Sequence, residues 1–261
     1  VKKPVQFRRH VWQIVFLGAS LTWLGATLFT QRVNIHQACP YAVVCFGAMD
    51  AGIINTASTV AVWAVIVGLL IVLSTMWLGR RFCAWICPLG SVQEGLFSLR
   101  SKSYKIKRKL PFWYDRKFAW IKYFLLGLTT FLAAMTLSWR YMRLCPFVTL
   151  ARLPGVVWQG AIVLLIILVS SFLVERWWCR FLCPYAALMN LAQKLGQFMG
   201  INRSKMKRNL ERCNDCGVCV LYCPMNLNLA ESEYVQSENC IHCGLCAEVC
   251  PKPGTYSEES E

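Results

Sequence analysis

Past residue 210 the chain runs Cys213-x2-Cys216-x2-Cys219-x3-Cys223-Pro224, then Cys240-x2-Cys243-x2-Cys246-x3-Cys250-Pro251. A cubane iron–sulfur cluster needs four thiolates around one small core, and short Cys-x-x-Cys loops let successive sulfurs turn toward it. In runs of this spacing the fourth cysteine serves the other cluster. One [4Fe–4S] cluster is therefore expected on Cys213, Cys216, Cys219 and Cys250, and a second on Cys240, Cys243, Cys246 and Cys223. Gly217 and Gly244 fall where a side chain would crowd a cluster or its tight loop. Zinc also takes four cysteines from Cys-x-x-Cys pairs, but two complete runs, each closed by Cys-Pro, favour iron–sulfur. His242, between two ligands, reads as an exposed loop residue, and the acidic tail from Ser257 to Glu261 as frayed.

A second pattern is duplicated upstream: Cys83-Ala84-Trp85-Ile86-Cys87-Pro88 and Cys179-Arg180-Phe181-Leu182-Cys183-Pro184. Cysteines four apart share a helical face. Proline is disfavoured inside a helix but suits its first position, so Pro88 and Pro184 are expected to start new interfacial helices. The second of these, Pro184 to Phe198, is amphipathic through Leu188, Leu191, Leu195 and Phe198. Cys87 and Cys183 would then lie at helix N-termini, where the dipole favours thiolate. Cys83, Cys87, Cys179 and Cys183 form a candidate additional redox or metal site, since a tetrathiolate suits iron–sulfur centres and zinc. Packing as small apolar side chains is the alternative. Cys39 and Cys145, each followed by Pro and an aromatic residue, are a matching outer pair with Cys45 nearby. Disulfide, metal and packing roles all stay open for these three.

Four apolar stretches must position these cysteines. A helix crosses a hydrocarbon core in about 20 residues, and Val11–Gln31, Val60–Leu78 within Ala51–Gly79, Phe118–Leu137 and Val156–Val174 are each long enough. Their one charged residue is Lys122, expected to snorkel to headgroups. Trp12, Trp77, Trp85, Trp120, Trp139, Trp177 and Trp178 cluster at the edges, as interfacial belts do. Lys2, Lys3, Arg8 and Arg9 precede the first stretch, and ten basic residues fill Arg80 to Lys117, while the first–second loop holds only Arg32. Both termini and the central loop are therefore expected on the cytoplasmic side, in a prokaryotic cytoplasmic membrane.

The membrane region also repeats. Residues 7–100 and 115–198 each contain a basic–aromatic entry, two apolar stretches and Cys-x-x-x-Cys-Pro. Two helices per half return the chain to one side, which makes the halves parallel repeats about the membrane normal. The expected fold is thus an all-α membrane domain over residues 1–200, with four transmembrane helices as two parallel two-helix repeats. A small α+β domain over 201–261, of the bacterial 2[4Fe–4S] ferredoxin type, follows it.

Composition agrees. The 261 residues are 56% hydrophobic and 16% charged, with a mean hydropathy of +0.43, whereas soluble domains carry about 25% charged residues. The formal charge of +15 would raise nucleic acid as a partner of a soluble protein. Here it follows the membrane asymmetry and contact with anionic lipid, and nucleic acid is not expected. Fifteen cysteines at these spacings speak for metal rather than a disulfide framework.

The duplicated Cys-x-x-x-Cys-Pro motifs, the four apolar stretches and the C-terminal double cysteine run resemble the NapH/NosR/MauN group of membrane polyferredoxins. The short NapH-type quinol dehydrogenase subunit is the form most like this chain, and the outer Cys39 and Cys145 motifs depart from it. The resemblance implies a membrane-bound electron-transfer subunit of a larger oxidoreductase complex. It would pass electrons between the quinone pool and redox partners through two [4Fe–4S] clusters. No signature marks a quinone site. Asp50, Glu94 and Glu175 lie near membrane edges, expected as solvated carboxylates that are able to relay a proton. A metal-reducing or enzyme-maturation factor is the alternative, favoured by the inner and outer cysteines outside the double run.

Overall fold

The computed structural model describes residues 4–30, 41, 44, 59–101, 104, 109–135, 144–145 and 158–260. The first half comprises α1 (Pro4–Thr30), α2 (Thr59–Leu78), the short α3 (Arg81–Trp85) and α4 (Pro88–Ser98). The second comprises α5 (Phe112–Phe118), α6 (Ile121–Ala134), α7 (Trp158–Leu173), the short α8 (Trp177–Phe181) and α9 (Pro184–Phe198). Helices thus occupy all four apolar stretches. Among the described residues one helical run, the 23 residues Phe112–Ala134, is long and apolar enough to cross a membrane; Val65–Leu78 and Trp158–Leu173 are apolar but shorter. Cys39, Cys45, Asp50 and Trp139 lie outside the described residues, and Cys145 is half-buried.

Helices start at both prolines, as the sequence leads one to expect. Pro88 and Pro184 sit in the first turns of α4 and α9, and the preceding cysteines are N-cap residues in extended conformation, with φ/ψ of −63/114 for Cys87 and −67/111 for Cys183. A proline there costs nothing, because the first helical N–H has no intrahelical acceptor. The packing is exchanged between halves. α4 packs on α1 of its own half and α7 of the other; α9 packs on α6 of its own half and α2 of the other.

The polarity of this assembly is the reverse of a water-soluble bundle. Trp12, Ile14, Leu70, Phe124, Phe131 and Leu165 face outward, while Gln13, Thr75, Gln93, Lys122, Ser171 and Gln193 are buried. α9 shows the inversion within one helix: Leu191, Leu195 and Phe198 are exposed and Asn190 and Gln193 are buried. Lys122 departs from the expected headgroup position. Its side chain is 1% exposed and Nζ donates to Asn239 Oδ1 at 2.6 Å, so a local polar acceptor holds it inward.

The C-terminal part adds β1 (Ser204–Arg208), α10 (Val218–Tyr222), α11 (Leu245–Val249) and β2 (Tyr256–Ser260). β1 and β2 pair antiparallel from Ser204↔Ser260 to Arg208↔Tyr256. The tail is therefore a strand rather than frayed. The reason is charge: β1 is Ser-Lys-Met-Lys-Arg, and Lys207 Nζ lies 3.2 Å from Glu259 while Arg81 pairs with Glu258. Opposite charges across a strand pair stabilise it by about 0.2–1 kcal/mol each. Met206, Leu229, Val235 and Tyr256 form the small core on which α10, α11 and their cysteines pack.

Candidate iron–sulfur sites

Cys223, Cys240, Cys243 and Cys246 line one partly open pocket together with Met206, Met225, Leu227, Leu229, Val235 and Ile241. These are the four cysteines that the crossed pairing groups together. Burial raises all four thiols, Cys223 to about 11 and Cys240 to about 12, so ligation must displace their protons. Against burial, backbone amides favour each thiolate: Leu227 and Met225 act on Cys223, His242 on Cys240, Leu245 on Cys243 and Ala247 on Cys246. The Leu227 amide lies 3.5 Å from Cys223 Sγ. Four sulfurs, each facing an N–H, in an apolar wall are a donor set that fits an anionic iron–sulfur core.

Backbone conformation builds this arrangement. Gly217 and Gly244 are N-caps of α10 and α11 at φ 70 and 72, and Asp215 and His242, two residues before them, are also left-handed at φ 50. The two loops therefore place left-handed residues at equivalent positions. At Gly244 a Cβ would also stand 2.9 Å from Val5 Cγ1. At Gly217 the left-handed backbone alone sets the requirement, with no atom close enough to crowd.

The other cysteine set is placed by the end of the sheet. Arg208 and Tyr256 are cross-strand partners. Arg208 Nη1 donates to Cys213 Sγ at 3.6 Å and to Asp215 Oδ1 at 2.7 Å, and Tyr256 Oη donates to Cys219 Sγ at 3.1 Å. Cys250 packs on the same core as Cys219, whereas Cys216 is exposed. The tyrosine phenol is raised first by burial and then by Cys219. Hydrogen bonds to sulfur favour the more reduced, more anionic state of a cluster. Tyr256→Phe is expected to lower the potential of a cluster held by Cys213, Cys216, Cys219 and Cys250 by roughly 40 mV. That takes one hydrogen bond as about 1 kcal/mol and about 59 mV per tenfold change for one electron. A potentiometric EPR titration reads the shift.

The loop Asn239–Cys246 is seated on the helical part. Gln6 Nε2 donates to Cys243 O at 2.8 Å and Trp85 Nε1 to His242 O at 3.4 Å. Asn239 Oδ1 accepts from Lys122, from Asn190 Nδ2 at 3.0 Å and from Arg80 Nη1 at 3.3 Å. His242 is buried, contrary to the exposed position expected, with Nδ1 3.3 Å from Glu258. Lys109 leaves the basic loop to donate to the carbonyls of Val220 and Cys223. Arg208 and Tyr256 escape a reading by cysteine spacing, because nothing local in the sequence marks a side chain that reaches a sulfur from another element.

Glu94 is likewise not a solvated carboxylate. It accepts from Arg9, from Arg176 Nη2 at 2.5 Å and from Gln13 Nε2 at 3.2 Å, while Gln13 also bonds Ala84 O and Arg176 bonds Cys83 O at 2.7 Å. Burial opposes its charge, but Arg176 and Arg9 outweigh burial and hold its carboxyl down at about 2. Glu175 is half-buried.

The upstream cysteines lie within electrostatic reach of one another. Cys83 and Cys179 are buried, and Cys83, Cys179 and Cys183 all act electrostatically on Cys87. Burial raises Cys87 and Cys179 and pushes Cys183 up to about 12. Cys83 shares its hydrophobic core with Cys243, and Cys183 and Cys223 pack against that core. Among the described residues no three His, Cys, Asp or Glu side chains converge closely enough to hold one metal ion. A cubane takes each thiolate on a separate iron, so its ligands stand wider apart than those of a single ion.

The family described as a 4Fe-4S binding domain matches residues 59–107 and again 156–202, and a 4Fe-4S dicluster domain matches 205–251. YccM of Escherichia coli, named for electron transport, is 32% identical over 58% of this chain and 43% of its own length. The uncharacterized protein MJ0750 of Methanocaldococcus jannaschii is 32% identical over 62% of the chain and 65% of its own. The methylamine utilization ferredoxin-type protein MauN of Paracoccus denitrificans is 33% identical over 56% and 48%. The matches thus cover less than two thirds of each of these relatives. No solved structure matches the chain. The twice-matched 4Fe-4S binding domain, the dicluster domain and relatives named for electron transport and as ferredoxin-type proteins bear out the chain's resemblance to the NapH/NosR/MauN group of polyferredoxins.

Proposed function

We propose that the chain is a membrane-bound electron-transfer subunit that works between the quinone pool and a redox partner through two [4Fe–4S] clusters. Cys213, Cys216, Cys219 and Cys250 hold one and Cys240, Cys243, Cys246 and Cys223 the other; when bound, they supply one-electron steps. The observation that carries the reading is the seating of the Asn239–Cys246 loop on Gln6, Trp85, Lys122 and Arg80 of the helical part. That contact gives the two sets different tasks. The Cys240 set faces the helical part, and the Cys213 set, with exposed Cys216, faces a partner subunit.

Residues 1–200 serve as the membrane domain and 201–261 as the dicluster domain. α1, α2, α6 and α7 span the bilayer as two parallel repeats, with both termini cytoplasmic. The outward Trp12, Leu70, Phe131 and Leu165 support lipid contact, and the basic central loop supports the orientation. The likeness to YccM and MauN supports electron transfer as the task.

Quinol tests the reading directly. With anaerobic, detergent-solubilised full-length chain, a quinol analogue is expected to produce the reduced-cluster EPR signals that dithionite produces, and oxidised quinone to abolish them. Reduction by dithionite with none by quinol overturns the quinone assignment. Rapid, saturable reoxidation by Cu(II) but not by quinone would support metal reduction instead.

A further inference from the structure

Cys83, Cys87, Cys179 and Cys183 lie where the two halves of the helical part meet, and two of the four sulfurs face a side-chain N–H donor. Arg80 Nη2 lies 3.8 Å from Cys83 Sγ, and Gln93 Nε2 lies 3.4 Å from Cys179 Sγ. The backbone amides of Gly90 and Ala186 act on the N-cap sulfurs Cys87 and Cys183. Neither N-cap sulfur makes a side-chain cap hydrogen bond. The device is the one seen around Cys223, Cys240, Cys243 and Cys246. Donors trained on sulfur are what a thiolate asks for, while a neutral thiol has its own proton to give.

The second observation is charge. Arg80 and Arg176 each precede the first cysteine of a motif by three residues, and both are completely buried. Their partners come from the opposite half, at equivalent places: Arg176 meets Glu94 of α4, and Arg80 meets Asn190 of α9, with Oδ1 at 3.3 Å. Glu94 is shared with Arg9, so that trio carries a net positive charge. Arg80 has amide oxygens and a sulfur as its partners, and Lys122 bonds the Asn239 amide. Among the described residues neither makes an ion pair with a carboxylate. The Nε atoms of Arg80 and Arg176 are buried without a hydrogen-bond partner. Buried charge without compensation is strongly unfavourable. An anion belongs beside these cations, and the four sulfurs are the groups placed to supply it.

We propose that Cys83, Cys87, Cys179 and Cys183 bind a third iron–sulfur cluster at the junction of the two halves, its net negative charge balanced by Arg80 and Arg176. On ligation the four thiols release four protons, and four thiolates around a cubane core leave the centre anionic. Sulfur-only donor sets select iron–sulfur centres, zinc or copper(I). Iron–sulfur is favoured by placement, since Cys83 and Cys243 lie in one core and a carrier here exchanges electrons with the Cys240 set. Gly90 is part of the site: a Cβ there would stand 2.8 Å from Cys83 O and 3.2 Å from Arg176 Nη1. The cluster extends the electron-transfer reading toward the membrane, but its existence does not depend on quinol as donor.

Metal content decides it without any activity assay. Anaerobically purified full-length protein is expected to carry about twelve irons and as many sulfides per chain, four per cluster. The Cys216→Ser/Cys243→Ser double variant is expected to keep about four irons in an EPR-detectable cluster. The Cys83/Cys87/Cys179/Cys183→Ser variant is expected to lose a third of the iron and one EPR component. A wild type with about eight irons overturns the proposal, whether or not the variants fold. So does stoichiometric zinc or copper, or a quadruple variant with unchanged iron and spectra. Failure of quinol to reduce a twelve-iron protein would remove the quinone reading and leave this cluster standing.

Discussion

Replacing Glu94 by alanine is expected to destabilise the protein by about 3–5 kcal/mol, the usual cost of removing one partner from a buried ion pair. Arg176 and Arg9 are 0% and 2% exposed, so neither guanidinium gains water when the carboxylate is lost. The damage spreads because Glu94 ties α1 and α4 to the segment following α7, and Arg176 in turn holds the Cys83 carbonyl. Thermal unfolding in detergent, followed by helical circular dichroism, reads the loss. The wild type adds a pH signature. The folded carboxyl is lowered from 4.5 to about 2, so the stability it confers is complete above about 4.5. It declines as pH falls from there toward 2, where the folded state must also take the proton. Glu94→Ala should lack that part of the acid limb. Equal stability of variant and wild type at neutral pH would show the trio to be dispensable.

Cys243→Ser and Cys216→Ser should each remove one ferredoxin cluster, yet with opposite consequences for quinol-driven reduction. Cys243 lies in the core shared with Cys83, and its carbonyl is held by Gln6 of α1. Loss of its cluster is expected to cut quinol-driven reduction of the Cys213 set at least tenfold, while dithionite still reduces that set. Cys216 is exposed. Its replacement should leave quinol reduction of the Cys240 set intact and block onward transfer to an external acceptor. Serine keeps the shape but gives iron a poorer, harder ligand than thiolate. Stopped-flow absorbance paired with EPR separates the two. Identical quinol kinetics in both variants would remove the assigned order.

The cysteine chemistry was legible in sequence because its information is local. Three cysteines, each separated from the next by two residues, and a fourth before proline define a loop, and Gly217 and Gly244 mark its left-handed turns at φ 70 and 72. Pro88 and Pro184 announced the starts of α4 and α9 for the same reason, since an N1 proline is a local backbone preference. The apolar stretches announced helices, because some twenty residues without charge have few other solutions.

What long-range packing decides was not legible. His242 and Glu94 read as exposed, and Lys122 as a headgroup anchor, because isolated polar residues near helix ends usually are solvated. Each is buried by a partner far away in the chain: Glu258 for His242, Arg9 and Arg176 for Glu94, Asn239 for Lys122. The tail read as frayed from its acidity alone, whereas the basic strand Ser204–Arg208, some fifty residues earlier, turns that acidity into pairing. The sequence by itself determined which sulfurs exist, their spacing and the helices that carry them. Only the tertiary structure decided which sulfurs share a cavity and which cations stand beside them, because those depend on the exchanged packing of α4 on α7 and α9 on α2.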